Sequence, residues 1–212
     1  MHEMFQQLSK VRLVPVIVIH DAAKAVSLAK ALCEGGLPCA EVTFRTSAAP
    51  DAIAAIAKEM PDMLLGAGTV LTTSQVDHAI DAGAKYIVAP GLNPDVVRYC
   101  QQKNVPVLPG VCTPSEVELG LSLGLKTLKF FPAEAAGGVN MIKSLGGPYG
   151  DVKFMPTGGI SQENLQEYLA CKNVFACGGS WMVKDELIAN EDYAEIAELT
   201  RNAVKMVFGG CL

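Results

Sequence analysis

The sequence is short of positive charge, and its basic residues form no run. Its 17 Lys and Arg stand against 22 Asp and Glu, which gives a formal net charge of -5. A surface that binds nucleic acid needs clustered basic side chains, so this composition disfavours a nucleic-acid partner. Half of the chain is hydrophobic by residue count, whereas disordered chains combine low hydrophobicity with high net charge. We therefore expect a folded protein that does not bind nucleic acid.

Residues that build metal sites are scarce or poorly spaced. The three histidines lie far apart, and none of the seven cysteines forms a Cys-x-x-Cys pair. Carboxylates with metal-ligand spacing are absent as well, so we expect no metal and no cofactor. Unpaired cysteines of this kind are typical of buried free thiols in a reducing cytosol. The cysteines are Cys33, Cys39, Cys100, Cys112, Cys171, Cys177 and Cys211.

The sequence also lacks a long hydrophobic segment. The longest apolar run near the amino terminus, residues 13–19, is far below the roughly 20 residues that cross a membrane. Residues 1–10 have the pattern of a short amphipathic helix and not of a signal peptide. These features predict a cytoplasmic protein that does not contact membranes.

Short apolar segments recur along the whole chain. They are rich in Val, Ile, Leu and Phe without polar alternation, which is typical of strands buried on both faces in a parallel sheet. Between them lie segments with helical spacing and start signals, such as Asn93-Pro94 and Thr113-Pro114 with Glu116. The predicted strands are residues 11–19, 39–44, 63–67, 86–89, 105–108, 127–131, 152–155 and 174–177.

The regular spacing of these strands predicts the fold. Their centres lie 19 to 26 residues apart, which is enough for one strand, one helix and two loops. We expect a (β/α)8 TIM barrel of eight parallel strands with a short N-terminal helix, built as a single domain over residues 1–212. The alternative is an open doubly wound sheet. That fold usually carries a glycine-rich turn after its first strand, and residues 18–21 contain no glycine.

Lys129 lies in the middle of an apolar strand. Strand alternation puts it on one face with Thr127 and Phe131, and puts Leu128 and Phe130 on the other. If the second face packs under the helices, Lys129 points into the barrel, where loss of hydration disfavours its ammonium form. A neutral amine can attack a carbonyl and form a Schiff base. The alternative is a lysine held in a buried ion pair.

The second predicted strand supplies partners for this lysine. Alternation puts Glu41, Thr43 and Arg45 on one face, and ionisable groups inside a barrel are costly unless they serve each other or a ligand. Glu41 is suited to shuttling protons, and Arg45 can hold a carboxylate with two parallel hydrogen bonds. Thr69, directly after a Gly-Ala-Gly turn, is expected to face the mouth and to help hold a carboxylate. The alternative is a structural Glu41–Lys129 pair with Arg45 at the surface.

Pairs of glycines follow the seventh and eighth predicted strands. Residues 157–159 read Thr-Gly-Gly and residues 178–180 read Gly-Gly-Ser. Barrels bind phosphate in the loops after these two strands, because glycine lets backbone amides approach an anion. One glycine pair is weak evidence, since glycine also simply ends strands, but two pairs in these loops favour a phosphate site.

Six runs of the sequence resemble the 2-keto-3-deoxy-6-phosphogluconate (KDPG) aldolase family, also described as 4-hydroxy-2-oxoglutarate aldolases. The resemblance spans residues 5–205 and keeps the order of the motifs, and the chain departs from the family in residues 1–10 and 208–212. A related galactonate-type aldolase departs from the second run, so the gluconate-type family is favoured. The runs are VPVIV at 14–18, EVTFRT at 41–46, GAGTV at 66–70, KFFPAE at 129–134, PTGGI at 156–160 and GGSW at 178–181.

The resemblance implies a class I aldolase in which Lys129 forms the Schiff base and Glu41 is the general acid and base. It implies a homotrimer that binds a phosphorylated 2-keto acid and pyruvate. The implied substrate contacts are the carboxylate ligands Arg45 and Thr69, the pocket residues Pro90 and Phe131, the stereochemical residue Thr157, and the phosphate ligands Gly158, Gly159, Gly179 and Ser180.

Substrate and activity retain alternatives at this stage. The implied reaction cleaves 2-dehydro-3-deoxy-6-phosphogluconate to pyruvate and glyceraldehyde 3-phosphate, and also 4-hydroxy-2-oxoglutarate to pyruvate and glyoxylate. One alternative is an enzyme that acts mainly as a 4-hydroxy-2-oxoglutarate aldolase or an oxaloacetate decarboxylase. The other is a non-catalytic barrel that binds phosphosugars, which would have no need to bury Lys129 and Glu41.

Overall fold

The computed structural model describes residues 1–209, in which parallel strands alternate with helices. The strands are β1 Leu13–Ile17, β2 Cys39–Thr43, β3 Leu64–Gly68, β4 Tyr86–Val88, β5 Val107–Leu108, β6 Gly110–Val111, β7 Thr127–Phe130, β8 Lys153–Pro156 and β9 Cys177–Gly179. The helices are α1 Glu3–Val11, α2 Ala25–Glu34, α3 Ala49–Glu59, α4 Thr73–Asp81, α5 Pro94–Gln102, α6 Pro114–Ser122, α7 Gly138–Gly146, α8 Leu165–Leu169, α9 Asp185–Ala189 and α10 Tyr193–Phe208.

The described strands form two parallel sheets and not one closed ring. Six strands pair in the order β5-β4-β3-β2-β1-β9, and three pair in the order β6-β7-β8. The prediction of a closed, eight-stranded TIM barrel is therefore wrong. The arrangement resembles a (β/α)8 barrel in its alternation and in the shared interior of the two sheets, but it has two seams without a continuous ladder.

The first seam lies directly after the fifth predicted strand, residues 105–108. Pro109 separates β5, which pairs with β4 through Leu108, from β6, which pairs with β7 through Gly110. Proline has no backbone N–H to donate to a ladder, so it interrupts the strand. Its carbonyl instead accepts from the backbone N–H of Lys129 at 2.9 Å, which keeps the two sheets in contact.

The second seam lies between β8 and β9. Two isolated β-bridges connect the two segments there, one between Phe154 and Val174 and one between Thr157 and Gly178. The strand predicted at residues 174–177 starts only at Cys177, and β8 ends at a proline that has no N–H to extend the ladder. This seam brings the loop after β8 beside the end of β9.

Helix start signals in the sequence are confirmed at two helices. The Thr113 side chain accepts from the backbone of Glu116, whose carboxylate accepts from the backbone of Thr113, and together they form a capping box at α6. Asn93 caps α5, and Pro94 is its first residue. The predicted N-terminal helix is α1. Among residues 1–209, no helix combines the length and the apolar character that a membrane span requires.

Aromatic side chains fill part of the interior. Tyr86 on β4 is fully buried, and its ring packs against Gly66 so closely that a Cβ there would overlap it. Its hydroxyl donates to the carbonyl of Ala40 at 3.2 Å, and Phe5 of α1 meets the ring edge-on at 6.4 Å. Closely packed aromatic rings therefore occupy this part of the interior.

The six cysteines within the described residues are free, as expected; four of them are buried, and Cys33 and Cys112 are half-buried. Burial raises the pKa of the Cys100 thiol to about 12, and it also raises the pKa of Cys112. Thiols of this kind are weak nucleophiles at neutral pH. Cys211 lies outside the described residues.

Candidate active site

A buried ion pair joins the two sheets. The Nζ of Lys129 on β7 lies 3.2 Å from the Oε1 of Glu41 on β2, and the two residues are 4% and 0% exposed. Every residue of both strands is buried, so a charged side chain on either strand has to find its partner inside. The inference that both side chains point into the shared interior is confirmed. The contact also fits a structural pair, so its surroundings decide what it can do.

The Glu41 carboxylate is tightly enclosed but not fully satisfied. Its Oε2 is buried and has no hydrogen-bond partner among the described residues. Buried polar atoms without a partner are rare and costly. A Cβ at Gly68 would lie 2.7 Å from the Glu41 Cγ, so glycine at that position is what makes room for the carboxylate. One oxygen therefore faces Lys129 while the other remains an available acceptor.

Phe131 links the buried amine to an open cavity. The Lys129 Nζ lies 5.3 Å from the centroid of the Phe131 ring, within range of a cation–π interaction. The same ring lines a cavity of about 760 Å³ at the carboxyl ends of the strands. This ring thus lies between the buried pair and the cavity.

The cavity brings together most of the residues predicted to contact substrate. It is bounded by the ends of β1 and β2, the turn after β7, and the loops after β8 and β9. The predicted residues that line it are Arg45, Phe131, Thr157, Gly158, Gly159, Gly179 and Ser180. A cavity lined by a cation and by glycine loops is chemically suited to an anionic ligand.

The two glycine loops lie side by side in the cavity wall. Gly158 and Gly159 have φ of +96° and +82°, a region in which other residues are strained. A Cβ at Gly178 would overlap the Thr157 side chain, and one at Gly179 would overlap the Trp181 ring. These glycines allow the two loops to pack closely, so their backbone amides can converge on one anion. The phosphate role itself stays a prediction.

Two predicted contacts are not part of the cavity wall. Thr69 follows β3 and Pro90 lies two residues beyond β4; both are half-buried. Thr69 has φ of +56°, a left-handed conformation that costs free energy for a β-branched residue. Such strain often occurs at functional sites, but the substrate contacts of both residues stay predictions.

Arg45 is exposed at the cavity wall. Among the ion pairs of residues 1–209, none involves Arg45. A guanidinium without an acidic partner is available for a carboxylate ligand. The surface position matches the structural alternative raised from the sequence, while the cavity position matches the functional one.

One wall of the cavity consists of residues that the sequence does not mark as functional. Lys184, Asp185 and Glu186, at the start of α9, line it together with Trp181. Trp181 packs on Gly179, and its buried Nε1 has no partner within residues 1–209. Exposed charges at the start of a short helix give no sequence signal, because solvent-facing helix ends commonly carry them.

No group of three or more His, Cys, Asp or Glu side chains within residues 1–209 is arranged to hold a metal ion. The expectation of a reaction without metal or cofactor stays a prediction.

The sequence model of a family described as KDPG and KHG aldolase matches residues 4–199. The 2-dehydro-3-deoxy-phosphogluconate aldolase of Haemophilus influenzae is 46% identical over 205 residues, which are 97% of each chain. The KHG/KDPG aldolase of Escherichia coli is 47% identical over 192 residues, which are 91% of this chain and 90% of the relative.

Solved structures give the same result. KDPG aldolase from Legionella pneumophila, with pyruvate captured at low pH as a covalent carbinolamine intermediate, has a TM-score of 0.92 and 40% identity. The match covers 95% of this chain and 98% of that one. The aldolase of Zymomonas mobilis with 3-phosphoglycerate has a TM-score of 0.89 and 39% identity, with 95% of each chain covered.

The buried pair generates a stability prediction. Replacing Lys129→Met leaves the Glu41 carboxylate without its counter-charge, and we expect the free energy of unfolding in urea to fall by about 3 kcal/mol or more. The double variant Lys129→Met/Glu41→Gln removes both charges and should recover part of that loss. Strict additivity of the two single variants would contradict the pairing.

A matched control comes from the same strand region. Lys126 directly precedes β7 and forms an exposed ion pair with Asp151 at 3.6 Å. Exposed pairs contribute roughly 0–1 kcal/mol, so Lys126→Met should change the free energy of unfolding by less than about 1 kcal/mol.

Proposed function

The chain belongs to the family of KDPG and KHG aldolases, and on that basis we propose how its own residues perform the reaction. The enzyme is a Schiff-base (class I) aldolase. It cleaves 2-dehydro-3-deoxy-6-phosphogluconate to pyruvate and glyceraldehyde 3-phosphate, and 4-hydroxy-2-oxoglutarate to pyruvate and glyoxylate. The observation that carries the residue assignment is the Lys129–Glu41 pair, buried beneath a cavity with two glycine loops.

The first steps take place at Lys129. A proton passes from its ammonium to the nearby Glu41 carboxylate, which leaves a neutral amine. The amine nitrogen bonds to C2 of the 2-keto acid, and the carbonyl oxygen leaves as water after two proton transfers. The product is a protonated imine, which withdraws electrons from the neighbouring carbon atoms.

Carbon–carbon cleavage then needs a base. Glu41, through a water molecule, takes the proton of the C4 hydroxyl. The electron pair of the C3–C4 bond moves to C3, which gives an enamine on Lys129 and releases the aldehyde. Returning a proton to C3 and hydrolysing the imine release pyruvate and restore the amine. The unpartnered Glu41 Oε2 supports this role, because a proton shuttle needs an acceptor that is not already occupied.

The keto-acid end is proposed to bind near Arg45. The free guanidinium of Arg45 at the cavity wall is suited to the pyruvate carboxylate, and Thr69 would be the second ligand of that carboxylate. Phe131, which touches both the amine and the cavity, and Pro90 would line the pocket around the reacting carbons.

The phosphate is proposed to bind at the opposite end of the cavity. Gly158 and Gly159 would contribute backbone amides from one loop, and Gly179 and Ser180 would contribute an amide and a hydroxyl from the other. Thr157 is proposed to discriminate stereochemistry at C4. Its Oγ1 is buried and has no partner among the described residues, which leaves it available to a substrate hydroxyl.

The domain organisation, the cofactor requirement, the location and the oligomeric state complete the proposal. We propose that residues 1–212 act as a single domain, and the continuous strand–helix alternation supports this. The reaction would need neither metal nor cofactor, and the enzyme would be a cytoplasmic homotrimer. Free cysteines support a reducing compartment. The trimer is supported by the family resemblance.

Borohydride reduction tests the role of Lys129. With pyruvate present, reduction should fix a covalent adduct on Lys129, detected as a mass shift of the corresponding proteolytic peptide. Lys129→Arg keeps a cation that cannot form the imine at neutral pH, and it should show no adduct and no aldolase activity. Unmodified Lys129 in the active enzyme, or activity abolished by EDTA, would sink this mechanism.

A hydroxyl deletion tests the phosphate end. Ser180→Ala should lower kcat/KM for 2-dehydro-3-deoxy-6-phosphogluconate by about tenfold, because one hydrogen bond to a charged group is lost. Activity on 4-hydroxy-2-oxoglutarate, which has no phosphate, should change by less than about twofold. Ser161→Ala, in the loop after β8, is a control that should alter neither value. An equal loss on both substrates for Ser180→Ala would favour the alternative, an enzyme without a phosphate subsite.

Sedimentation equilibrium tests the oligomeric state. The expected mass is about three times the 22.4 kDa of one chain, independent of loading concentration in the micromolar range. A monomer or a dimer under these conditions would overturn the trimer.

A further inference from the structure

A tyrosine in the core makes a hydrogen bond to a carboxylate near the cavity. Tyr168 on α8 is fully buried, and its hydroxyl donates to the Oε1 of Glu134. Glu134 lies in the turn after β7 and is exposed. The pKa of Tyr168 is raised, mainly by burial and to a smaller extent by the hydrogen bond to Glu134. The phenol therefore remains a hydrogen-bond donor throughout the neutral pH range. An exposed carboxylate is thus held by a fully buried side chain of α8.

The backbone around Glu134 is joined to the loop after β8. The Glu134 N–H donates to the carbonyl of Gly158 at 3.0 Å, and the Ala133 N–H donates to the carbonyl of Thr157 at 2.8 Å. The Glu134 side chain contacts this loop as well, because a Cβ at Gly159 would lie 2.5 Å from the Glu134 Cγ. The stem of Glu134 therefore lies directly on a glycine that lines the cavity.

The same loop also contacts the aromatic ring over the amine. A Cβ at Gly158 would lie 3.3 Å from the Phe131 ring, and that ring lies 5.3 Å from the Lys129 Nζ. On its far side the loop is held by Asn164, which donates to the carbonyl of Gly159 at 2.9 Å. Glu134 and Asn164 thus hold Gly159 from two sides.

A structural explanation alone leaves one feature unexplained. The core needs the ring of Tyr168, but it does not need a hydroxyl that reaches an exposed carboxylate. The chain also leaves room for the contact at Gly138, where a Cβ would lie 3.3 Å from both the Tyr168 hydroxyl and the Glu134 Oε1. This geometry fits a hydrogen bond between Tyr168 and Glu134 that holds the adjacent Gly158–Gly159 loop in place.

We propose that Glu134 and Tyr168 form a positioning pair that holds the Gly158–Gly159 loop in the conformation that receives the substrate's phosphate. Neither residue touches the reacting atoms. This inference rests on the proposed phosphate subsite, and it adds the residues that determine selectivity for phosphorylated substrates.

Steady-state kinetics of four single variants test the pair. Tyr168→Phe keeps the ring and removes the hydroxyl, and it should raise KM for 2-dehydro-3-deoxy-6-phosphogluconate by about fivefold to tenfold, with kcat within about twofold. Glu134→Ala should do the same or more. Glu134→Gln keeps both the stem and an acceptor oxygen, and its KM should stay within about twofold of the parent.

Tyr149 provides the matched control. Its hydroxyl also donates to a glutamate, Glu118, at 3.0 Å, but neither residue lines the main cavity. Tyr149→Phe should leave KM unchanged. For every variant, KM for 4-hydroxy-2-oxoglutarate and the rate of borohydride trapping with pyruvate should match the parent.

Three results would overturn the proposal. One is an unchanged KM in both Tyr168→Phe and Glu134→Ala, and a second is an equal rise in KM for both substrates. The third is a Glu134→Gln variant as impaired as Glu134→Ala. Because Glu134 is exposed, we expect its variants to fold, and they test the proposal even if Tyr168→Phe fails to fold. Failure of the parent to trap pyruvate would instead refute the aldolase mechanism, which keeps the two outcomes separate.

Discussion

The contact between Lys129 and Glu41 is the constraint on which the rest of the structure depends. Two charges taken out of water are tolerated only when they meet each other in good geometry, and here they come from different sheets. The two sheets must therefore keep their spacing although no continuous ladder closes the seams between them. The Pro109 carbonyl, which accepts from the Lys129 backbone, and Gly68, which makes room for Glu41, serve this requirement.

Much of the interior was predictable because strand alternation is a local property. The period of two placed Glu41 and Lys129 inside before any contact was known, and Thr113 with Glu116 marked a helix start through chemistry within four residues. The closed barrel was not predictable from the same signals, since closure depends on pairing between distant strands. Pro109 can be read from the sequence, but only the structure shows that it separates β5 from β6, which belong to different sheets.

In the candidate site, too, some residues were predictable from local sequence and others depended on the fold. The glycine pairs, one after β8 and one at the end of β9, were recognisable because glycine permits backbone conformations and close approaches that other residues do not. Lys184 and Glu186 carried no signal, because exposed charges are ordinary at helix ends, and it is the fold of the β9–α9 connection that turns them toward the cavity. Tyr168 was equally silent, since its role depends on a partner 34 residues away.

The net charge of -5 is unfavourable for an anionic substrate only if charge is summed over the whole chain. Exposed charges farther than about 8 Å are largely screened at physiological ionic strength, so the groups in the cavity wall decide. There Arg45, Lys184 and the glycine-loop amides favour an anion, while Asp185 and Glu186 oppose it. These four side-chain charges cancel, so the backbone amides of the glycine loops decide the preference for an anion. Local arrangement therefore outweighs composition, and an acidic protein can present a binding site for a negatively charged sugar acid.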